Sequence, residues 1–328
     1  MRTRAFGRLG WQVSEVGYGL WGVGGWTGSD DDESIKAIER SIALGCNFFD
    51  TALAYGDGKS EQLLGRVLAR HHSSTGSGEA ARLYVATKIP PANLKWPARS
   101  TYTLDEVYPA DHIRRATETS LKNLGLSSMD LQQFHVWHDN WAADDRWQRA
   151  VADLKQQGLV RGIGISLNRW EPTNGIKALR TGLIDSVQVV YNVFDQNPED
   201  ELFPVCRELG VAVIARVPFD EGSLTGTLTS GQTWPKGDFR NIYFAPDKLP
   251  EVLQHVERLQ PDVPPGMTMP EMVLRFILAN RDVSTIIPGM RRVTHVEQNL
   301  GASDGTSLSP EQMARLRKHR WVRSYDIP

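Results

Sequence analysis

A chain of 328 residues with 40% hydrophobic and 23% charged side chains holds enough apolar material for a large core. Its net charge of −2 leaves no basic surplus for non-specific nucleic-acid binding, and no apolar run approaches the ~20 residues that a bilayer span needs. Cys46 and Cys206 stand far apart in apolar or helical surroundings, and the arginines of "MRTRAFGRLG" precede no apolar stretch, so the expectation is a cytoplasmic protein with reduced, buried thiols.

In chain order, the first core strand is "SEVGYG", which runs into Gly17-x-Gly19-x-x-Gly22. That spacing matches a dinucleotide-binding fingerprint, but the fingerprint requires a helix to open within the glycines. Here the next helix start, "SDDDES", lies well downstream, so the glycines finish a strand and cradle no pyrophosphate. From residue 32 onward, helical and extended segments alternate. "DDESIKAIERSIALG" has an acidic first turn and a closing glycine, as a helix should. The strand "CNFFDTA" follows, then the helix "SEQLLGRVLAR", the strand "RLYVATKI", and the helix "ADHIRRATETSLKNLG". "DLQQFHV", "VRGIGIS", "DSVQVVYN", "VAVIARVPF" and "VSTIIPG" supply further strands, separated by "WQRAVADLKQQG", "RWEPTNGIKALRTG", "PEDELFPVCRELG" and "PEMVLRFILAN" as helices. "VTHVEQNLGA" and "SPEQMARLRKHR" end the chain as helices.

Eight strands, each followed by helical material and with no composition break, predict a single (β/α)8 barrel domain over residues 1–328. Two long loops, 90–109 and 220–247, follow strands and therefore belong at the C-terminal mouth, where a barrel binds its ligands. The tail "HRWVRSYDIP" either closes over that mouth or packs beneath the barrel.

Polar residues stand where three consecutive apolar strand runs end: Asp50 after "NFF", Lys88 after "YVAT" and His135 after "LQQF". The loop "TALAYGDG" can fold Tyr55 over the same place. Taken singly, these are a helix cap, a surface charge and a loop aromatic. Taken together they form a proton donor: a phenol with a pKa near ~10 is a poor acid, an ammonium beside it lowers that value, and a carboxylate holds the ammonium in place. A histidine then orients the carbonyl that receives the proton, while a hydride arrives at carbon. "HVWHDNW" also offers His135, His138 and Asp139 as zinc ligands, but no second His/Asp pair ends another strand, and no metal is expected.

"FFDTALAYGDGKSEQLLG", "ATK", "DLQQFH", "GLVRGIGIS", "QVVYN", "VIARVPFDEGSLTG" and "IIPGMRR…VEQNLGA" resemble, in this order and over nearly the whole chain, the landmarks of the aldo-keto reductase superfamily. The resemblance implies a (β/α)8 barrel with a short N-terminal β-hairpin, NADP(H) as cofactor, no metal, and reversible carbonyl reduction. It makes Tyr55 the general acid/base, with Asp50, Lys88 and His135 as its tuning and orienting partners. A different class of function within the same fold is a cofactor-binding regulatory subunit with little turnover.

The resemblance also assigns the cofactor. Gln188, Ser166 and Asn168 would hold the nicotinamide carboxamide, with Ser166-Leu167-Asn168 departing from the commoner Ser-Asn dipeptide. Gly19, Leu20, Trp21 and Asp50 would floor the ring, and Arg216 stands where many relatives place a stacking aromatic. Val217, Pro218, Phe219, Gly222 and Leu224 would run along the pyrophosphate. Gly289 replaces a lysine found in many members, so Arg291 or Arg292 must meet the 2′-phosphate, with Gln298 and Asn299 on the adenine. Trp21, Trp96, Trp137 and His138 are the expected walls of a pocket for a small carbonyl substrate. The oligomeric state is not legible.

Overall fold

The computed structural model describes residues 1–26, 28–75 and 82–323. Its chain opens with an antiparallel hairpin, β1 (Thr3–Phe6) and β2 (Trp11–Ser14). Eight parallel strands follow: β3 (Tyr18–Gly19), β4 (Phe48–Asp50), β5 (Tyr84–Ile89), β6 (Met129–Phe134), β7 (Val160–Ser166), β8 (Ser186–Val190), β9 (Ala212–Arg216) and β10 (Val283–Ile286). Each pairs with its sequence neighbours. Between β10 and β3 the sheet closes through two parallel bridges, Val16 with Ile286 and Gly19 with Gly289. The architecture is a (β/α)8 barrel.

The opening glycines serve this closure. A Cβ on Gly19 would stand 2.5 Å from the Ile287 carbonyl oxygen, and one on Gly17 would stand 2.9 Å from that of Phe48. Only glycine lets so short a strand seat between two neighbours.

Helices lie where apolar periodicity and capping signals put them. Asp30 accepts from the Glu33 N–H at 2.8 Å and starts the helix Asp31–Ala43. Gly125, at φ +67°, ends the helix Ala110–Leu124. One expectation is corrected: in "RWEPTNGIKALRTG" only Ile176–Arg180 is helical, because Pro172 and Gly175 keep the preceding residues in turns. The two long mouth loops carry short helices of their own, Leu104–Val107 and Arg240–Tyr243.

Side chains alternate across each strand, and the barrel interior follows that period. Phe48, Tyr84, Ala86, Leu131, Ala212 and Ile214 pack together inside, joined by Phe6, Trp11 and Val13 of the hairpin. The Phe6 and Trp11 rings stack at 5.5 Å, and Trp11 stacks on Tyr84 at 5.1 Å. The hairpin thus plugs the N-terminal end. Two residues further along each strand, the same inward face carries Asp50, Lys88, Gln133 and Arg216. Gly164 makes room for this layer, since a Cβ there would lie 2.4 Å from Ser186 Oγ and 2.9 Å from Gln133 Cγ. Outside the strands, the helices cover a second, larger apolar layer.

Both cysteines are buried and unpaired. Burial pushes the Cys46 thiol up to about 11 and the Cys206 thiol up to about 12. No helix among the described residues is long and apolar enough to cross a membrane. The tail packs on Phe194 and His255 through Trp321; residues 324–328 of "HRWVRSYDIP" lie outside the described residues.

Candidate active site

Asp50 ends β4, and Lys88 lies near the end of β5. With Asp50 paired to Ala86 in register, both side chains fall on the inner face. Lys88 Nζ donates to Asp50 Oδ1 at 2.5 Å, to the Thr51 carbonyl at 2.8 Å and to the Tyr55 hydroxyl oxygen at 3.2 Å. Those three acceptors use all three protons of the ammonium. Asp50 Oδ2 accepts from Gln133 Nε2 at 3.0 Å and from Gln188 Nε2 at 2.8 Å. The pair is fully enclosed, with Lys88 at 0% and Asp50 at 1% exposure.

Tyr55 reaches this pair from the loop after β4. Its approach depends on two glycines. A Cβ on Gly24 would stand 2.7 Å from the Tyr55 carbonyl group, and one on Gly56, at φ +63°, would stand 1.8 Å from the Gly24 oxygen. His135 follows β6 and meets Tyr55 edge-on at 5.7 Å between ring centroids, and Trp96 meets the other side of the imidazole at 5.7 Å. The four expected residues are therefore brought together.

Electrostatics follow from burial. Desolvation holds the Tyr55 phenol above its ordinary value, against the opposing pull of Lys88, which corrects the expectation that the ammonium would set the net direction. Burial alone would lower Lys88, but the Asp50 carboxylate outweighs it and the ammonium is held above its usual value. Burial, with Lys88 and Arg216 nearby, drives His135 well below its usual value, so its ring is neutral.

Two connected cavities open above these groups. The larger, about 830 Å³, is lined by Gly19, Trp21, Asp50, Tyr55, Trp96, His135, Gln188, the run Arg216 to Phe219, Gly222, Gly289 and Arg291. The smaller, about 290 Å³, is lined by Tyr55, Trp96, His135, Ser166, Asn168, Gln188 and Arg216, with Trp170 and Tyr243. Trp21 meets Trp26 at a tilt, 4.2 Å between ring centroids, and meets Phe239 edge-on at 5.8 Å, forming an aromatic rim.

The comparisons with known proteins converge on one answer. The model of the Aldo/keto reductase family matches residues 15–320. The chain belongs to the aldo-keto reductase family. It is 30% identical to aldo-keto reductase str7 of Strobilurus tenacellus over 93% of this chain and 88% of that protein. It is 26% identical to the NADH-specific methylglyoxal reductase of Escherichia coli over 92% of this chain and 95% of that one. The holo form of an aldo-keto reductase from Bacillus halodurans superposes with a TM-score of 0.77 at 25% identity, covering 100% of this chain and 99% of that one.

Two expected pocket residues, Trp137 and His138, fall elsewhere, and the structure places the other expected residues as follows. Trp137 is fully buried behind the barrel wall, among Phe134, Trp141 and Trp147, with its indole N–H on Asp139. His138 caps the turn Asp139–Trp141 by accepting from the Asn140 N–H. Neither lines the substrate side, because the chain leaves β6 at Phe134 and turns outward. Asp139 is committed to the Lys177 and Ala178 N–H groups. Leu20 and Leu224 are fully buried, and their N–H groups bond to Asp50 and Phe219. Arg292 is exposed, 3.9 Å from Glu33, whereas Arg291 lines the larger cavity. Gln298 is exposed and Asn299 buried on the helix Val293–Gly301, outside the cavity walls. Asn168 donates to the Ala98 carbonyl at 3.0 Å, in the smaller cavity.

The structure adds cavity residues that sequence reasoning missed: Glu221, Arg240 and His295. Glu221 sits at φ +57° within a tight turn, and burial pushes its carboxyl up to about 7 despite Arg169 and Arg216. No periodicity marks such residues, since each sits on a loop or a helix end whose course is set by distant contacts.

Proposed function

We propose that this chain is an NADP(H)-dependent carbonyl reductase in which Tyr55 protonates the substrate oxygen. One observation carries the reading: the Tyr55 hydroxyl rests on an enclosed Lys88–Asp50 pair and faces a cavity large enough for a nucleotide. Because Lys88 donates to the Tyr55 oxygen, the phenol's own proton is directed elsewhere, and the cavity is where a carbonyl would take it.

When bound, the nicotinamide supplies a hydride to the carbonyl carbon. Tyr55 gives its proton to the oxygen as negative charge builds there. Lys88 then stabilises the phenolate left behind, and Asp50 keeps the ammonium charged and in place. Neutral His135 orients the carbonyl without competing for the proton. In the reverse direction the phenolate takes the proton of an alcohol.

The residues present fit a nicotinamide nucleotide. Gln188 has spent its Nε2 on Asp50 and Gln133, so it would meet a carboxamide through its oxygen. Gly19 and Gly289 both line the cavity with backbone alone, and nothing lies within 4 Å of a Cβ built on Gly289. Arg216, anchored by the Leu167 carbonyl at 3.0 Å, offers a planar face. Among the relatives, a protein of Schizosaccharomyces pombe is named for NADP(+) and that of Escherichia coli for NADH. Arg291 in the wall is what favours the phosphorylated form here. Trp96, Val136, Trp170 and Phe239 suit a small carbonyl compound with an apolar or aromatic flank.

The test is NADPH consumption across a panel of aldehydes, ketones and sugars, with Tyr55→Phe alongside. The variant should lose at least about 100-fold in turnover while binding NADPH as the wild type does. Full turnover by Tyr55→Phe overturns the acid assignment. Tight NADPH binding by the wild type with no turnover on any carbonyl favours a regulatory subunit instead.

A further inference from the structure

Three residues of the loop that follows β9 adopt the left-handed conformation without being glycine: Val217, Asp220 and Glu221, at φ +54°, +46° and +57°. Such a backbone persists only where its surroundings over-determine it. Asp220 is where they do. It is fully buried, and both its oxygens are saturated. Oδ1 accepts from Tyr243 at 2.6 Å, from Arg323 Nη2 at 2.7 Å and from Arg169. Oδ2 accepts from Ser223 Oγ at 2.5 Å and from Arg323 Nη1 at 3.1 Å. Asp195 completes the cluster, receiving Arg169 Nε at 2.8 Å and Arg323 Nη2 at 2.9 Å. Two guanidinium groups thus balance two carboxylates, Asp220 fully buried and Asp195 nearly so. Although burial opposes it, Arg323 and Arg169 hold Asp220 well below the usual carboxylate range.

Arg323 comes from outside the barrel repeat. Its segment is fastened by the Trp321 N–H on the Phe194 carbonyl at 2.8 Å and by the Trp321 ring stacked on His255 at 3.8 Å. Its guanidinium also lies 4.4 Å from the Trp321 ring. Arg323 lines neither cavity, whereas Val217, Pro218, Phe219, Glu221 and Gly222, flanking the residue it grips, all line the larger one.

We propose that Arg323 is a positioning residue for the nucleotide: by clasping Asp220 it holds the 217–222 loop in the shape that lines the nucleotide cavity. The proposal rests on the nicotinamide-nucleotide reading of the cavity. Two effects add when the clasp is lost. The strained loop relaxes and must be re-ordered at each binding event. An uncompensated carboxylate charge is also left beside the path of a polyanion.

The experiment compares NADPH affinity, measured by quenching of tryptophan fluorescence, in wild type, Arg323→Gln and Arg323→Lys. Melting temperature and the KM for a turned-over carbonyl at saturating NADPH are read in parallel. Arg323→Gln should weaken NADPH by about tenfold or more, with the carbonyl KM within about twofold, and Arg323→Lys should recover part of the loss. A lower melting temperature with unchanged NADPH affinity overturns the proposal, since a merely structural tie would do only that. Hydrogen exchange of the wild type supplies a reading that needs no variant. The hydrogen-bonded amides of Asp220, Gly222 and Leu224 should be as slow as those of β9, and fast exchange at all three overturns the clasp. A wild type that binds no nicotinamide nucleotide overturns the reading of the cavity as well, whereas normal wild-type binding with an indifferent Arg323→Gln overturns the clasp alone.

Discussion

The Tyr55 hydroxyl oxygen lies 3.2 Å from Lys88 Nζ, and the other two ammonium protons are held by Asp50 and the Thr51 carbonyl. The phenol is thus coupled to a buried ion pair that has no solvent to fall back on. Lys88→Met strands the Asp50 charge inside the barrel, and removing one partner of such a pair costs about 3–5 kcal/mol. Urea unfolding should show that loss. Turnover should fall further than the folded fraction accounts for, because the phenolate has lost its counter-charge; a variant of wild-type stability would show that the pair is not enclosed as described.

Gly56 tests the placement of Tyr55 without touching the reacting groups. A methyl group there meets the Gly24 carbonyl at 1.8 Å, on a backbone at φ +63°. Gly56→Ala should push the loop away from Gly24 and take Tyr55 with it. The expected outcome is a loss of roughly 1–3 kcal/mol in stability and a fall in kcat with little change in NADPH affinity. Unchanged kcat would mean that the loop can give way elsewhere.

The two adjacent arginines should behave differently. Arg291 lines the cavity and Arg292 is exposed beside Glu33. Arg291→Ala should weaken NADPH by about ten- to a hundredfold, the value of a charge-assisted contact, and NADH by far less. Arg292→Ala should leave both nearly unchanged. Equal losses of NADPH and NADH in Arg291→Ala would remove the 2′-phosphate from that residue.

Glu221 sets a pH dependence with a definite sign. Its carboxyl is pushed up to about 7 from an ordinary 4.5. A group whose folded pKa is raised gives stability that is fully present below the unfolded value and is lost as pH rises through the folded one. Melting temperature should therefore fall more steeply between about pH 4.5 and 7, the interval of that shift, in the wild type than in Glu221→Gln. Parallel curves for the two proteins would show that Glu221 does not carry the slope.

The barrel and the Asp50–Lys88 pair were legible because both rest on short-range periodicity, whereas Tyr55 and His135, which lie beyond strand ends, were legible through the motifs shared with the family. A strand alternates inside and outside, so a polar residue two places beyond an apolar inward one, such as Asp50 after Phe48 or Lys88 after Ala86, points at the mouth. Trp137 shows where that logic stops. It lies two places after His135, but β6 has already ended at Phe134, and beyond a strand the alternation carries no direction. Glu221 and Arg240 were invisible for a related reason. The loop that presents them takes its course from Asp220, whose partner Tyr243 lies 23 residues further along the same loop and whose partners Arg169 and Arg323 come from two other segments. No window of sequence contains that information.

The hairpin that stacks Phe6 and Trp11 into the barrel's N-terminal end turns the interior into a cul-de-sac. Among the described residues, the cavity above Tyr55 is walled by Trp21, Trp96 and Phe239, and what enters past them would leave by the same door. Nucleotide and carbonyl compound would therefore share one passage, and whichever lies deeper waits for the other to depart. Turnover in such a vessel would be governed by traffic as much as by chemistry.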